Sequence, residues 1–390
     1  MNPDIPLQLL GGLTAREFMR DYWQKKPLLV RQAIPDFESP IDADELAGLA
    51  LEEEVESRLV IENGERPWEL RRGPFAEDEF SKLPEKDWTL LVQAVDQFVP
   101  EVSELLENFR FLPSWRVDDV MISFAAPGGS VGPHFDNYDV FLLQGQGKRN
   151  WKIGQMCDSE SPLLKHADLR ILAEFEQTEE WVLEPGDMLY LPPRLAHCGV
   201  AVDDCMTYSV GFRAPSAAEV LTHFTDFLAQ FLTDEERYTD ADAQPVSDPH
   251  QIQHDALGRL KALLAEHMSD ERLLLTWFGQ YMTEPRYPEL VAGPEEVEEE
   301  DFLSALQDGA ILIRNPSARL AWSEVDDDLL LFASGQSRYL PGKLRELLKL
   351  ICSADALHTD NLGEWLNDED GRGLLCELVK QGSLGFADDE

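Results

Sequence analysis

The sequence predicts an α+β protein in which a β-rich domain comes first and helical segments follow it. Residues 118–213 contain short apolar strands separated by Gly- and Pro-rich turns. After Pro215 the apolar residues recur at helical spacing, and the charged stretch GPEEVEEED precedes a last, mixed unit. We therefore expect three domains, which cover residues 1–215, 216–292 and 293–390.

The segment before residue 118 is predicted to support the β-rich domain. Thr14 and Glu17 form a capping-box pattern that opens a helix through Trp23. KKPLLVRQ and SRLV are predicted to be strands, and a short helix is expected between them at 42–51. Residues 88–109 show helical spacing of apolar residues, so we expect two helices there, divided at Pro100.

Three amphipathic helices are predicted between the β-rich domain and the last unit, at 217–232, 251–268 and 271–282. Their wide apolar faces are suited to packing against one another or against a second copy of the chain. The last unit is expected to alternate helices and strands. The expected elements are a helix at 301–308, strands at 310–314, near Leu320 and at 329–332, and helices at 341–351, 361–367 and 371–381.

Charge and composition narrow the class of partner. The 390 residues carry a net charge of −42, which argues against general nucleic-acid binding and suits a basic protein partner. For the charge alone, general solubility or a salty cytoplasm is the better explanation. No run of 18 apolar residues appears and residues 1–13 lack the basic start and apolar middle of a signal peptide, so we expect neither a membrane span nor a signal peptide. Five cysteines without Cys-x-x-Cys spacing indicate reduced thiols and a cytoplasmic protein.

A His-x-Asp pair, His134 and Asp136, is the first candidate for metal binding. Two other such pairs, His166/Asp168 and His358/Asp360, are expected by chance in an Asp-rich chain and are interpreted as surface pairs. The first pair differs in context, because a strand-like run and a glycine-rich turn precede it and the apolar run YDVFLLQG follows it. In an extended segment, residues two apart point to the same side, so both side chains can reach one ion.

His197 is the second candidate for metal binding. It ends the pattern Gly186-x5-Pro192-x4-His197, which resembles the second metal motif of the cupin barrels. The glycine usual two residues after the proline is replaced by Arg194, which weakens the expectation of a tight turn. The alternative is a core histidine beside Cys198. Two imidazoles and one carboxylate form a facial triad that holds Fe(II) and leaves positions open for a co-substrate and dioxygen.

Arg149 completes the predicted site. Alternation along RNWKIG places Arg149, Trp151 and Ile153 on one face, which we expect to be the interior. A buried guanidinium needs an anion and matches a carboxylate with two parallel hydrogen bonds. The distal carboxylate of 2-oxoglutarate is the favoured anion, and an internal salt bridge to an acidic residue is the alternative.

These stretches resemble the JmjC-type, iron- and 2-oxoglutarate-dependent ribosomal oxygenases. The resemblance covers most of residues 15–217, and within the family it is closest to the branch that hydroxylates an arginine of the large-subunit ribosomal protein L-sixteen. The stretches that carry it are YWQKKPLLVR, SRLV, DDVMISF, GPHFDNYDVFLLQG, LEPGDMLYLPP and YSVGFRAP.

The resemblance implies a fold and a set of roles. It implies a double-stranded β-helix (a jelly-roll, cupin-like barrel), a helical homodimerisation region and a winged-helix-like C-terminal domain. It assigns the iron to His134, Asp136 and His197. Co-substrate contacts are implied for Arg149 and Ser123, and also for Thr207, which stands where the family has an asparagine. Substrate contacts are implied for Asp119, Met121, Tyr138 and Ser209.

The predicted activity is hydroxylation of the β-carbon of an arginine in a basic ribosomal protein, with Fe(II), 2-oxoglutarate and dioxygen. Asp119 would hold the substrate guanidinium by charge-assisted hydrogen bonds. The same chemistry on another residue, as in histidine hydroxylation or lysine demethylation, is one alternative. A metal-binding, cupin-like regulatory protein without enzyme activity is the other. The acidic winged-helix-like unit lacks a basic recognition helix, so we expect no nucleic-acid binding from it.

Overall fold

The computed structural model describes residues 2–65, 67–165, 169–291, 297–354 and 356–387. It divides into two compact units, Met1–Ala214 and Pro215–Glu390. The predicted further division between residues 292 and 293 stays a prediction. The His166/Asp168 pair and much of the predicted charged linker lie outside the described residues.

The first unit consists of antiparallel sheets with a few short helices. Its helices are α1 (Ala15–Asp21), α2 (Ala43–Leu49), α3 (Glu77–Phe80) and α4 (Pro100–Glu104). Its strands are β1 (Leu28–Val30), β2 (Ser57–Asn63), β3 (Pro67–Arg72), β4 (Trp88–Val92), β5 (Val117–Ala125), β6 (Asp139–Gln146), β7 (Arg149–Met156), β8 (Glu179–Leu183), β9 (Met188–Leu191), β10 (Leu195–Ala201) and β11 (Cys205–Phe212).

The strands form one large and one small sheet. The large sheet has the order β1-β9-β6-β11-β5-β4-β2-β3, and the small sheet has the order β10-β7-β8. From β8 to β11 sequential strands alternate between the two sheets, as in the predicted double-stranded β-helix. The YDVFLLQG run forms β6, which is apolar on both faces because it lies between two cores. Phe141 packs with α1 on one side, and Leu142 packs with the small sheet on the other.

The N-terminal helix α1 begins where the sequence predicts. Thr14 and Glu17 form the reciprocal capping box, with both side chain-to-backbone bonds present. The helix ends at Asp21, earlier than predicted, and its Phe18 is fully buried against Phe141 and Tyr190. This contact fixes α1 on the outer face of the large sheet.

The prediction of two helices over residues 88–109 was wrong in its first half. Trp88–Val92 is strand β4, paired with β2 on one side and β5 on the other. Leu90 and Val92 reach the core on one face, and Leu91 borders the cavity on the other. Because both faces of this strand are apolar, its apolar residues do not alternate with polar ones, and over a few residues the pattern resembles helical spacing. Pro100 does not divide two helices; it starts α4 at a first-turn position, where its missing N–H costs nothing.

The second unit combines helices with two small sheets. Its helices are α5 (Ala217–Ala229), α6 (His254–Met268), α7 (Glu271–Thr283), α8 (Glu299–Gln307), α9 (Arg345–Ser353), α10 (Thr359–Leu362) and α11 (Glu369–Lys380). Its strands are β12 (Leu312–Arg314), β13 (Leu320–Val325), β14 (Asp328–Ala333), β15 (Gln336–Pro341), β16 (Ala356–Leu357) and β17 (Leu384–Phe386). No helix among these described residues, or among those of the first unit, is long and apolar enough to cross a membrane.

Helix α7 packs directly on the sheet β13-β14-β15 of this unit. A Cβ added to Gly279 would lie 2.3 Å from the ring of Phe332, so only glycine permits this approach. The sequence analysis missed strand β15, which begins with three polar residues and is mostly exposed, so it lacks an apolar strand pattern. The helices of the C-terminal part lie close to their predicted positions.

Candidate active site

The structure brings His134, Asp136 and His197 together between the two sheets. They form the only cluster of three or more His, Cys, Asp or Glu ligand atoms suited to a metal ion within the described ranges. The backbone positions the two histidines, because each N–H donates to the other's carbonyl oxygen, at 3.0 Å from His134 and 2.9 Å from His197. The turn after His134 therefore stays in register with β10.

Both imidazole rings present Nε2 to a common point. Nδ1 of His134 lies 2.9 Å from the carbonyl oxygen of Gly132, and Nδ1 of His197 lies 2.9 Å from that of Leu195. Such bonds fix the ring orientation and the tautomer of histidine ligands. The Nε2 atoms lie 3.9 and 3.7 Å from Oδ2 of Asp136, which is longer than a hydrogen bond. The three atoms therefore face shared space and fit a cation.

Electrostatics favour the ligand form of His197. Burial, followed by the neighbouring His134, lowers the pKa of His197 to about 4. The imidazole is therefore neutral near pH 7, with a lone pair on Nε2 to bind a metal ion. The alternative of a core histidine explains the burial, but it does not explain why a second imidazole and a carboxylate share the same point.

The turn before His197 forms without glycine. Arg194 has a φ of 68°, so it adopts the left-handed conformation that the missing glycine would adopt easily. Its backbone N–H donates to the carbonyl oxygen of Asp136 over 2.6 Å. The tight turn is therefore present, and it also holds the backbone of the carboxylate ligand.

Arg149 is buried with no carboxylate beside it. The residue is 3% exposed, and its guanidinium donates to Oγ of Ser123 over 3.2 Å and to the carbonyl oxygen of Gly199 over 3.4 Å. Its Nε has no hydrogen-bond partner, and within the described part of the chain Arg149 forms no ion pair. Burial lowers the pKa of the guanidinium. The internal salt bridge is thus not found, and the site fits an external anion.

Gly199 provides the space in which this guanidinium lies, and the sequence analysis missed it. A Cβ at residue 199 would lie 2.7 Å from Nε of Arg149 and 2.8 Å from the Trp151 ring. The guanidinium lies over that ring at 5.2 Å. Both groups are buried and cannot move aside freely, so a side chain here would displace Arg149.

A cavity of about 420 Å³ connects the three ligands with Arg149. Most of the predicted co-substrate and substrate residues line it, namely Ser123, Thr207, Met121, Tyr138 and Ser209. Asp119 lies two residues before Met121 on the same face of β5 and is 3% exposed. Partial burial of the Tyr138 hydroxyl, and then the carboxylates of Asp136 and Asp119, raise the pKa of Tyr138.

The Thr207 hydroxyl is bonded inside the protein. It donates to Oε1 of Gln144 over 3.2 Å. The amide of Gln144 is oriented by its own donations to the carbonyl oxygens of Gln146 and Met206, so Oε1 must accept. The hydroxyl proton is therefore used inside the cavity wall, and the predicted co-substrate contact of Thr207 would have to use an oxygen lone pair.

Two further arginines of the cavity, Arg58 and Arg170, were not predicted as site residues. Arg58 belongs to the SRLV stretch, which was interpreted only as a strand. Neighbouring side chains of a strand point to opposite faces, so the core residue Leu59 could have indicated that Arg58 points away from the core. Nothing in the local sequence indicates that Arg170 reaches the site, because a long connection between β7 and β8 places it there.

We expect metal binding to depend on His134, Asp136 and His197 and not on the other described His-x-Asp pair. His134→Ala removes one of three ligands, so the variant should lose most of its Co(II) binding, measured by calorimetry and by the visible absorption of bound Co(II). His358→Ala is the matched control, because His358 starts the other described His-x-Asp pair and is exposed. Equal Co(II) affinity in both variants would contradict this site.

We expect Gly199→Ala to weaken 2-oxoglutarate binding by about tenfold or more, since the added methyl group displaces Arg149 and a lost charged hydrogen bond is worth roughly 1.5–3 kcal/mol. The measurement is calorimetric titration of 2-oxoglutarate in the presence of Co(II). Gly373→Ala serves as the control, because no atom lies within 4 Å of a Cβ added there. An unchanged Kd in Gly199→Ala would show that Arg149 is not the anchor.

Comparisons with known proteins agree with this geometry. The JmjC domain matches residues 104–220, and the ROXA-like winged helix matches residues 266–385. The chain is 36% identical to the ribosomal protein uL16 3-hydroxylase of Escherichia coli (strain K12), over 95% of this chain and 97% of that protein. It is 32% identical to a probable ribosomal oxygenase of Haemophilus influenzae, over 97% of this chain and 95% of that protein.

A solved structure gives the same result at the level of the fold. The structure of YcfD, a ribosomal oxygenase from Escherichia coli in complex with cobalt and 2-oxoglutarate, matches with a TM-score of 0.84 and 35% identity. The match covers 96% of this chain and 99% of that one. The barrel and the two matched domains define an oxygenase of the JmjC class, which depends on iron and 2-oxoglutarate. The chain belongs to the JmjC-domain ribosomal oxygenase family, and the predictions of fold and family are confirmed.

Proposed function

We propose that this oxygenase hydroxylates the β-carbon of an arginine in ribosomal protein uL16, the L-sixteen protein of the large subunit. The observation that carries the oxygenase chemistry is Arg149, a buried cation that has no acidic partner among the described residues and shares a cavity with three converging metal ligands. Similarity to the uL16 3-hydroxylase over nearly the whole chain supports the choice of substrate. A substrate in the ribosome is consistent with the expected cytoplasmic location.

The cofactor site divides between two sets of residues. His134, Asp136 and His197 would hold the iron, and Arg149 with Ser123 would hold the distal carboxylate of 2-oxoglutarate. Bound iron supplies the coupled activation of dioxygen and oxidative decarboxylation of 2-oxoglutarate that oxidises an unactivated carbon. The protein's own part is positioning, since the mainly apolar cavity orients both substrates and limits access of water.

The substrate pocket is proposed at the end of the cavity where Met121, Tyr138 and Ser209 lie. Met121 and Ser209 are register partners on neighbouring strands, so their side chains are adjacent. Tyr138 is 42% exposed and offers an aromatic surface to an entering side chain. Asp119, near this tyrosine, would attract a guanidinium. An apolar channel that ends at a carboxylate is suited to the long, cation-tipped side chain of arginine.

The charge of the chain is consistent with a basic partner. A net charge of −42 would accelerate association with a basic ribosomal protein and oppose direct contact with nucleic acid. We therefore propose the protein, not the ribosomal RNA, as the recognised component. We also propose that the acidic winged-helix-like domain makes protein contacts or has a structural role.

We expect purified protein with Fe(II), 2-oxoglutarate and air to add one oxygen atom to an arginine of a uL16 peptide, measured by tandem mass spectrometry. His134→Ala should give no product. Loss of a methyl group, or oxidation of a histidine, would favour the demethylase or histidine hydroxylase alternatives. Succinate without a modified peptide would indicate another substrate. If neither succinate nor a modified peptide forms, the non-enzymatic alternative is favoured.

We further propose that the helices after the barrel mediate a homodimer. Helix α6 has no buried residue, and its Leu257, Leu260 and Leu264 are between 43% and 51% exposed on one face. Leu221 of α5 is also 54% exposed. A leucine stripe of this kind is costly in water, and burial of the remaining exposed half of each side chain against the same stripe of a second copy would stabilise the dimer by about 1 kcal/mol per leucine.

We expect Leu260→Asp to convert the dimer into a monomer, because the carboxylate would be buried without a partner in the interface. The measurement is size-exclusion chromatography with light scattering. Val182→Asp is a suitable control, since Val182 is similarly exposed but lies on β8 of the first unit. A wild-type chain that is monomeric at micromolar concentration would rule out this dimer.

A further inference from the structure

A chain of polar contacts runs from the cavity wall to Asp119. Arg58 of β2 lines the cavity, and its Nη2 donates to Oε1 of Gln93 over 2.8 Å. Nε2 of Gln93 in turn donates to Oδ2 of Asp119 over 2.7 Å. Gln93 is 8% exposed and Asp119 is 3% exposed, so this chain is largely shielded from water. Hydrogen bonds in such surroundings are strong and directional.

The backbone fixes the members of the chain next to each other. Arg58 pairs with Leu91 on the neighbouring strand, and Gln93 follows directly after that strand. The N–H of Gln93 donates to the carbonyl oxygen of Glu56 over 2.9 Å, which extends the pairing. The relative placement of Arg58 and Gln93 is therefore a property of the sheet and does not depend on a flexible loop.

Only one orientation of the Gln93 amide satisfies both neighbours. Arginine can only donate hydrogen bonds and an ionised carboxylate can only accept them, so the amide oxygen faces Arg58 and the NH₂ group faces Asp119. The backbone N–H of Ala94 also donates to Oδ2 of Asp119, over 3.1 Å. Ala94 has a φ of 53°, an uncommon conformation for a residue with a side chain. Two donors on one oxygen favour the ionised carboxylate.

We propose that Arg58 and Gln93 are positioning residues that hold Asp119 ionised and in one orientation for the cationic side chain of the substrate. This inference rests on the proposed function, in which Asp119 binds the substrate guanidinium. Arg58 is itself a cation on the cavity wall, so its direct effect on a cationic substrate is repulsive. A favourable electrostatic effect of Arg58 on substrate binding therefore has to pass through Gln93 to Asp119.

The contact of Arg58 with Met121 gives the chain a second role in shaping the pocket. Nη2 of Arg58 lies 4.0 Å from Sδ of Met121, which is a proposed wall of the substrate pocket. A shorter or uncharged side chain at residue 58 would free both the Gln93 amide and the thioether of Met121. Arg58→Lys keeps a donor for Gln93, whereas Arg58→Met keeps the bulk and removes every donor.

The test separates KM from kcat on the uL16 peptide. Arg58→Met and Gln93→Leu should each raise the peptide KM about tenfold, as expected for loss of one charge-assisted bond, with a much smaller fall in kcat. Arg58→Lys should recover most of the loss. Arg72→Met is the matched control, because Arg72 is exposed and lies opposite Arg58 on β3. Calorimetric binding of 2-oxoglutarate with Co(II) reports whether each variant keeps its fold.

A double-mutant cycle decides whether Arg58 acts through Asp119. In an Asp119→Asn background, Arg58→Met should change KM less than twofold, because the group that it positions is already lost. If the KM increases of Arg58→Met and Asp119→Asn multiply in the double variant, the two residues act independently and the proposal is overturned. A lower KM in Arg58→Met would also overturn it, because it would show that Arg58 only repels the cationic substrate. A similar fall in kcat, rise in KM and weakening of 2-oxoglutarate binding would also overturn the proposal, since such changes indicate general damage to the protein.

A structural measurement keeps the inference separate from the choice of substrate. If the wild-type protein does not modify the uL16 peptide, the proposed substrate is wrong. Crystal structures of Arg58→Met and Arg72→Met then test the hydrogen bonds from Arg58 through Gln93 to Asp119 without any substrate. We expect Gln93 and Asp119 to change orientation in Arg58→Met and to stay in place in Arg72→Met. Unchanged side chains in Arg58→Met would show that Arg58 positions nothing.

Discussion

The reciprocal backbone pair between His134 and His197 is the contact on which the site depends. It joins the turn after β5, a strand of the large sheet, to β10 of the small sheet, so both imidazoles are fixed where the two sheets meet. Asp136 is held through its own carbonyl oxygen by the N–H of Arg194. The three ligands are therefore positioned by the backbone before any ion is present. Preorganisation of this kind lowers the cost of ordering ligands when the metal binds.

Burial of Arg149 adds an electrostatic constraint to this geometry. A guanidinium removed from water without a countercharge destabilises the protein by several kcal/mol, and the bonds to Ser123 and Gly199 offset only part of that cost. In the proposed function, a dicarboxylate that enters the cavity would supply the missing charge, and the cost of burying Arg149 would be recovered as co-substrate affinity. Gly199 belongs to the same arrangement, because the absence of a side chain lets the guanidinium lie beside β10.

The proposed function gives the two substrates opposite charges to meet. Arg149 would offer positive charge to a carboxylate, and Asp119, a buried carboxylate two residues before the cavity-lining Met121, would offer negative charge to a cationic side chain. The candidate metal ligands line the same cavity as Arg149. Such a polarity would give an anionic co-substrate and a cationic side chain different places to bind. Interchanging them would place like charges together, which the low dielectric of the cavity makes costly.

The sequence by itself determined the family, the barrel and the candidate ligands. His-x-Asp after a turn, a second histidine after a strand, and one basic residue on an apolar face are local patterns with a direct chemical meaning. The two-sided strand β4 was mistaken for a helix, because its partners lie far away in the sequence and local spacing does not show them. Gly199, Gln144 and Arg58 were missed for the same reason. Their roles depend on which side chains the sheets place beside them, and only the tertiary structure decides that.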